Sequence, residues 1–319
     1  MLSLSRLDRL CGRKLQRIGL SATIHPLSTA ASYLAPGQDV AVVAPAMHKA
    51  AEIQVNGVLP DMRALPEGTI WPELCRAVYA YCQSARTVIA FVEGRAQAEK
   101  LAYGVNQLAG EGFARTHHGS VSKEQRLEAE AALRSGQLRL LCATSSMELG
   151  IDVGDIDLVL QVGYPLTISS TLQRLGRAGH NPGRTSVMHL FPRTAAEGVA
   201  CGLTATVALE GGIEPIQPPL GCLDVLSQHL VSMAVEDRYT VEEALDVAHG
   251  AYNFHGLTQE TLCGVLRMLA GDYEHERDHP IRPRLLYDRI HGTVTGDAYS
   301  RILALSAGGT IPDKGLYPV

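Results

Sequence analysis

Five short runs of β-branched and apolar residues, Thr87 to Val92, Gly112 to Thr116, Leu138 to Ala143, Ile156 to Val162 and Ser186 to Phe191, alternate with stretches of helical period. This alternation constrains the fold more than any other feature. A parallel strand pair needs a crossover of a dozen or more residues, whereas an antiparallel pair closes with a two-residue turn, so strands spaced by helices predict a parallel α/β sheet. One connecting helix is specified closely. Ser122 is its expected N-cap, Gln125 completes a capping box three residues on, Leu127, Ala131 and Leu133 form its expected core face, and Gly136 stops it.

On either side of this region the pattern changes. Lys14 to Thr23 reads as a strand running into a loop, Leu27 to Leu34 as a helix, Asp39 to Ala44 as a short apolar run and Ala51 to Leu59 as an extended segment between Pro45 and Pro60. Pro60 to Gly68 reads as a linker. The strand at Lys14 has no partner before it, so the expectation is that further chain once preceded it and that Met1 to Leu59 exposes apolar surface and is mobile or aggregation-prone. After Gly211 and Gly212 the composition shifts: Asp224 to Asp278 holds eleven acidic residues against three Arg, with Leu223, Leu226 and Leu230 and then Leu262, Leu266 and Leu269 at helical spacing. His279 to Val319 reverses to five basic against three acidic, with glycines interrupting β-like segments. Acidic helices followed by a basic hairpin predict a winged helix, with Arg282, Arg284 and Arg289 its phosphate-contact candidates or a plain solvated face, and Tyr287 either a base-stacking or a core residue.

Composition removes several function classes. Lys and Arg total 28 against 33 for Asp and Glu, a net charge of −5, so a nucleic-acid site has to be a local patch rather than a bulk basic field. The seven cysteines are scattered without a C-x-x-C pair, which predicts neither a disulfide framework nor a zinc site and fits a reducing cytoplasm. The first residues have no continuous apolar core, and no run long enough to span a bilayer occurs, so neither a signal peptide nor a membrane span is expected.

In an open parallel sheet, ligands gather beyond the carboxyl ends of the strands. Two stretches stand there: Thr144-Ser-Ser-Met-Glu-Leu-Gly-Ile-Asp152, and a helix carrying Gln173-Arg-Leu-Gly-Arg-Ala-Gly-His180. Gln173 and Arg177 are four apart and Arg174 and Arg177 three apart, so these polar groups share a helix face. From Thr171 to Arg193 there are four Arg (174, 177, 184, 193) and no carboxylate. Such a patch is either a solvated face or a site where planar, permanently charged forks meet a phosphoryl group. Thr144 and Ser145 are either turn formers or hydroxyl and N–H partners for a nucleic-acid backbone, and Asp152 is either a loop cap or a ligand contact. His117 and His118 have no further His or Cys at ligand spacing, so no metal site is expected.

These residues resemble superfamily-two nucleic-acid helicases and, within them, the Lhr (large helicase-related) group of ATP-dependent DEAD/DEAH-type enzymes. Ser21-Ala-Thr23 is similar to their motif III, Val88 to Arg95 to motif IV, Ala143 to Asp152 to motif V and Gln173 to His180 to motif VI. Gln16 to Thr23, His117-His-Gly-Ser-Val-Ser122, the QRLGRAGH form of motif VI and Gly308 to Tyr317 carry the Lhr resemblance. It implies a RecA-like parallel-sheet lobe of the P-loop NTPase type followed by a mostly helical winged-helix domain. The implied boundaries are 1–60 for a remnant of the first, ATP-binding lobe, 61–212 for the second lobe and 213–319 for the winged helix, truncated at its end.

By the same resemblance Arg177 is an arginine finger reaching the γ-phosphate of ATP bound by the first lobe, while Gln173 and Arg174 hold that catalytic surface. Gly150 and Asp152 contact the nucleotide. Thr144, Ser145 and Arg95 touch a single DNA strand or an RNA–DNA hybrid, and Ser21 and Thr23 couple hydrolysis to lobe movement. ATP with Mg2+ is the implied cofactor of the complete protein, and DNA repair its implied setting. The chain departs from the pattern at His180, where many relatives have a second arginine, and at Glu93-Gly94, where Asn-Ser or Asn-Thr is usual. It contains no G-x-x-x-x-G-K-[ST] loop and no Asp-Glu pair. The expectation is therefore a fragment of the motor with no ATPase activity alone, or else a non-catalytic nucleic-acid-binding module, either a degraded gene product or a partner for a separate first lobe. An unrelated Rossmann-type enzyme is disfavoured, because no G-x-G-x-x-G follows a predicted strand.

Overall fold

The computed structural model describes the chain apart from residues 46–49, 64, 66–68, 149–153, 155, 180–183, 273–281 and 307–319. Its elements run α1 (Leu2–Leu10), α2 (Leu27–Leu34), β1 (Ala51–Val55), α3 (Trp71–Gln83), β2 (Val88–Phe91), α4 (Arg95–Ala109), β3 (Ala114–His117), α5 (Lys123–Arg134), β4 (Leu140–Ala143), β5 (Leu158–Val162), α6 (Ile168–Leu175), β6 (Ser186–Phe191) and α7 (Ala195–Leu209). They continue as α8 (Leu223–Glu236), β7 (Tyr239–Thr240), α9 (Val241–His249), α10 (Gln259–Leu269), β8 (Leu286–Asp288), β9 (Thr293–Thr295) and α11 (Ala298–Ser306). The chain divides into two compact units.

One unit, Ser21–His25 with Ala44–Pro215, is built on a six-stranded sheet in the order β1-β6-β5-β2-β4-β3 with every pair parallel. β2, β4 and β5 are buried along their whole length, as strands with helices on both faces must be. Leu74 and Val78 of α3 and Leu101 and Val105 of α4 fill one side. Leu133 of α5, Leu175 of α6 and Cys201 and Ala205 of α7 fill the other. All five predicted strands are present. The extended segment at Ala51 forms β1 by pairing with β6, from Ala51 opposite Ser186 to Val55 opposite Leu190. At the α3–α4 contact, a Cβ on Gly104 would lie 2.4 Å from the Cys75 sulfur, so this close approach requires glycine.

Ser122 caps α5 as expected, its side chain accepting from the Gln125 N–H at 3.2 Å. The expected core face of that helix is corrected. Ala129 and Leu133 are buried, whereas Leu127 is 54% exposed and Ala131 faces solvent. Small residues seat the helix on the sheet here, and a single exposed leucine costs little.

The other unit comprises Met1–Leu20, Pro26–Val43 and Ile216–Val319. α8, α9 and α10 pack with an antiparallel three-stranded sheet, β7-β9-β8, around Leu226, Leu230, Tyr239, Val247, Leu262, Leu266 and Val294. Three helices with a small antiparallel sheet make the expected winged helix. The 1–60 stretch is not a separate body, because its parts are distributed between both units. Leu2 of α1 is buried in the winged-helix core, and Ser5 donates to the Val247 carbonyl at 2.6 Å. Arg6 lies 2.5 Å from Glu236 and 3.2 Å from His229 Nδ1, and Arg9 lies 2.8 Å from Glu243. Burial, and then Arg6, lower the His229 pKa to about 4, so the neutral ring accepts from the guanidinium. Part of the acidic excess of these helices thus neutralises α1.

Lys14 to Thr23 is not the expected strand. It is irregular, and Arg17 is held instead by the Asp8 carboxylate and the Leu34 carbonyl, each at 2.9 Å. Burial would raise the Asp8 pKa, but the Leu15 N–H and Arg17 outweigh it and hold that carboxyl below its usual range. Asp39 to Ala44 is irregular too, and Gly308 to Tyr317 lies outside the described residues.

α9 begins with a complete capping box, Thr240 accepting from the Glu243 N–H and Glu243 from the Thr240 N–H. Thr240→Ala is expected to lower the stability of this unit by about 1 kcal/mol. A urea midpoint reduced at unchanged slope is the check.

Candidate functional site at the carboxyl edge of the sheet

All six strands are parallel, so the segments that follow β2, β3, β4, β5 and β6 leave the sheet at one edge. After β4 the chain makes a 3₁₀ turn, Ser145–Met147, in which Met147 is buried, Thr144 half-buried and Ser145 exposed. The Thr144 N–H donates to the His117 carbonyl at 3.2 Å, which joins this turn to the end of β3.

Glu148 ties the turn to α6. Its carboxylate accepts from Arg174 Nε at 2.9 Å and Nη2 at 2.5 Å, and its carbonyl accepts from Arg177 Nη2 at 2.8 Å. Arg174 is 6% exposed, donates also to Gln161 on β5, and lies 5.1 Å from the centre of the Phe91 ring. Every nitrogen of this guanidinium has an internal acceptor, so the side chain is fully engaged within the fold. The expected helix over Gln173 to His180 is corrected: α6 ends at Leu175, and Arg177, half-buried and held by the Glu148 carbonyl, stands in the turn that follows it. Gln173 donates to Thr23 Oγ1 at 2.8 Å, which brings the Ser21-Ala-Thr23 segment onto α6. Thr23 also donates its N–H to Ser21 Oγ at 3.3 Å. At the start of α6, Thr167 caps Ser170 and the Glu214 carboxylate accepts from the Ile168 and Ser169 N–H groups, complementing the helix N-terminus.

The positive patch expected between Thr171 and Arg193 is corrected. Arg174 is paired with Glu148, Arg184 with Asp157 at 3.4 Å, and Arg193 with Glu93 at 2.9 Å and Glu197 at 2.6 Å. These carboxylates lie outside the segment in sequence and close on it in space. Hydrogen bonding to Glu197 comes first among the causes that hold the Arg193 pKa above its ordinary value. The pairing also accounts for Glu93 in motif IV. Gly163, at φ +84°, leaves the space for Arg193, since a Cβ there would stand 3.0 Å from the guanidinium.

Arg95 is exposed at the start of α4 and donates to the Ser120 hydroxyl. His118 meets Glu99 at 2.8 Å, and His117 meets Glu130 at 2.9 Å, so both histidines are used internally. Among the described residues no group of three His, Cys, Asp or Glu is arranged to hold a metal, and no helix is long and apolar enough to cross a membrane. Gly150, Asp152 and His180 lie outside the described residues. Sequence reasoning missed Glu148 and Gln161 as the partners that fix α6, because nothing in their local spacing signals a contact made through the fold. In the winged helix, Arg282 stacks on Tyr299 at 4.1 Å, Arg289 pairs with Asp272, and the Tyr287 hydroxyl is 3.6 Å from the Cys263 sulfur, with its ring against the core.

Comparison with known proteins agrees with this geometry. Residues 72–181 match the helicase conserved C-terminal domain, and residues 207–319 match the winged helix domain of large helicase-related protein. The Lhr helicase/probable uracil glycosylase of Mycolicibacterium smegmatis is 36% identical over 351 residues, covering 100% of this chain and 23% of the relative. The ATP-dependent helicase Lhr-Core of Methanocaldococcus jannaschii is 38% identical over 314 residues, covering 98% of this chain and 36% of the relative. A structure of Mycobacterium smegmatis helicase Lhr bound to ssDNA and AMP-PNP superposes with a TM-score of 0.91 at 38% identity, covering 98% of this chain and 41% of that one. The chain therefore spans well under half the length of these relatives. A RecA-like parallel sheet with Thr144, Glu148, Arg174 and Arg177 on its carboxyl edge, followed by this winged helix, belongs to the Lhr, or large helicase-related, family and corresponds to the C-terminal portion of its helicase core.

Proposed function

We propose that this chain supplies the second RecA-like lobe and the winged helix of an ATP-dependent Lhr-type helicase that moves along single-stranded DNA or an RNA–DNA hybrid. The observation that carries the reading is the lock between the turn after β4 and α6, in which one residue, Glu148, holds both Arg174 and Arg177. A strand-gripping turn and a phosphate-sensing helix joined in this way move as one piece.

In this reading Thr144, Ser145 and Arg95 contact the phosphate backbone, which fixes register without reading sequence. Arg177 provides a fixed, permanently charged fork for the γ-phosphate, and Gln173 and Arg174 hold the surface around it. Gly150 and Asp152 contact the nucleotide, and Thr23, with Ser21, passes the state of that site along the chain through its bond to Gln173. We assign 61–212 to the second lobe, 213–319 to the winged helix, and 1–60 by its motif content to the end of the first lobe. DNA repair in the cytoplasm is the setting we propose.

ATP with Mg2+ fits these residues only in part. Arg177 suits a γ-phosphate, but the sequence has neither a phosphate-cradling loop nor an Asp-Glu pair for the metal. The cradle belongs to a first lobe, and the chain by itself behaves as the non-catalytic, nucleic-acid-binding alternative. The purified chain is expected to show no ATP turnover above a protein-free blank, with or without single-stranded DNA. Turnover abolished by Arg177→Ala would contradict this.

A further inference from the structure

His117 stands at the end of β3 and is 1% exposed, yet both of its ring nitrogens have partners. Nε2 lies 2.9 Å from Glu130 Oε1 on α5, and Nδ1 lies 3.1 Å from the Ser146 hydroxyl in the turn after β4. The carboxylate can only accept, so Nε2 carries the proton and, in the neutral ring, Nδ1 is left to accept from Ser146. The Ser146 oxygen is also 3.5 Å from Thr144 Oγ1 and 3.4 Å from the His117 carbonyl, and that same carbonyl accepts the Thr144 N–H at 3.2 Å.

A serine, a histidine and a carboxylate in series also form the pattern of an activated nucleophile. Here the ring is enclosed and no substrate can reach it, so the arrangement fixes geometry rather than reacting. Ser146 is held by its bond to the ring, Thr144 beside it is half-buried with its hydroxyl 3.5 Å from that of Ser146, and Ser145 is exposed.

We infer that His117 is a positioning residue which, through Ser146 and its own carbonyl, holds the turn after β4 in the conformation that presents Thr144 to a nucleic-acid strand. The inference rests on the strand-gripping reading given above. Glu130 orients the ring, Ser146 transmits that orientation, and Thr144 is the group that benefits.

The test is a double-mutant cycle on affinity for a fluorescent oligo(dT) strand at low salt, using the whole chain with Ser146→Ala, Thr144→Ala and both together, and with urea midpoints measured for each. Ser146→Ala is expected to weaken binding about 3–10-fold, the effect of one lost hydrogen bond. The double variant is expected to bind no more weakly than Thr144→Ala alone, because the two act in series. Additive losses would mean that Ser146 touches the strand itself, and unchanged affinity, with or without a lowered urea midpoint, would mean that the buried cluster only stabilises the fold. Either result overturns the inference while leaving the strand-gripping reading in place. Failure of the unmodified chain to bind would overturn both.

Discussion

Arg174→Ala is expected to destabilise the parallel-sheet unit by about 3–5 kcal/mol, because it strands the Glu148 carboxylate in a largely enclosed site. Glu148→Gln should approach the same cost from the other side, since it leaves a buried guanidinium without a counter-charge. The pair Arg174→Met with Glu148→Leu is expected to recover much of the loss, as replacing both members of a buried ion pair by apolar groups often does. Recovery stays incomplete because Gln161 on β5 then loses the donor that Arg174 gave it. Chemical denaturation of the three variants provides the measurement. A loss below about 1 kcal/mol for Arg174→Ala would show that the pair behaves as an exposed one.

Arg177→Ala should have the opposite profile. When this chain is joined to a first lobe that has a phosphate-cradling loop, the substitution is expected to reduce DNA-stimulated ATP turnover by about 10³–10⁵-fold, the range for loss of an arginine finger. Its cost in stability is expected to be smaller than that of Arg174→Ala, since the bond lost to the Glu148 carbonyl strands no buried carboxylate. Arg177→Lys should recover little of the activity, because a compact ammonium lacks the planar fork. ATP turnover within tenfold of the unmodified protein would remove Arg177 from that role.

The contrast between two arginines three residues apart shows what the sequence could and could not display. Strands β2 to β6 were legible because hydrophobic period and helix-length spacing are local properties, and Ser122 was legible as a cap for the same reason. Thr144 and Ser145 were legible as residues that follow a strand end, and Gln173 and Arg174 as residues of a helix after the next strand. Most of the arginine pairings were not: Arg174 finds its carboxylate 26 residues back and Arg184 27 back, and Arg193 adds Glu93, 100 back, to the nearby Glu197, so a segment without a carboxylate of its own proves to be largely neutralised. β1 shows the same limit, since an extended segment becomes an edge strand only when the sheet offers it β6. α1 shows it more strongly. Its Leu2, Arg6 and Arg9 have partners beyond residue 220, and no local spacing could have placed them in the winged-helix unit.

The most direct test of the account is the affinity of the purified chain for single-stranded DNA across a salt series, with Thr144→Ala and Arg177→Ala measured alongside. A lobe that grips phosphates through the turn after β4 should bind more weakly as salt rises, weaken again with Thr144→Ala, and respond little to Arg177→Ala. Absence of binding at low salt, or binding lost with Arg177→Ala but indifferent to Thr144→Ala, would contradict the assignment of the strand to that turn.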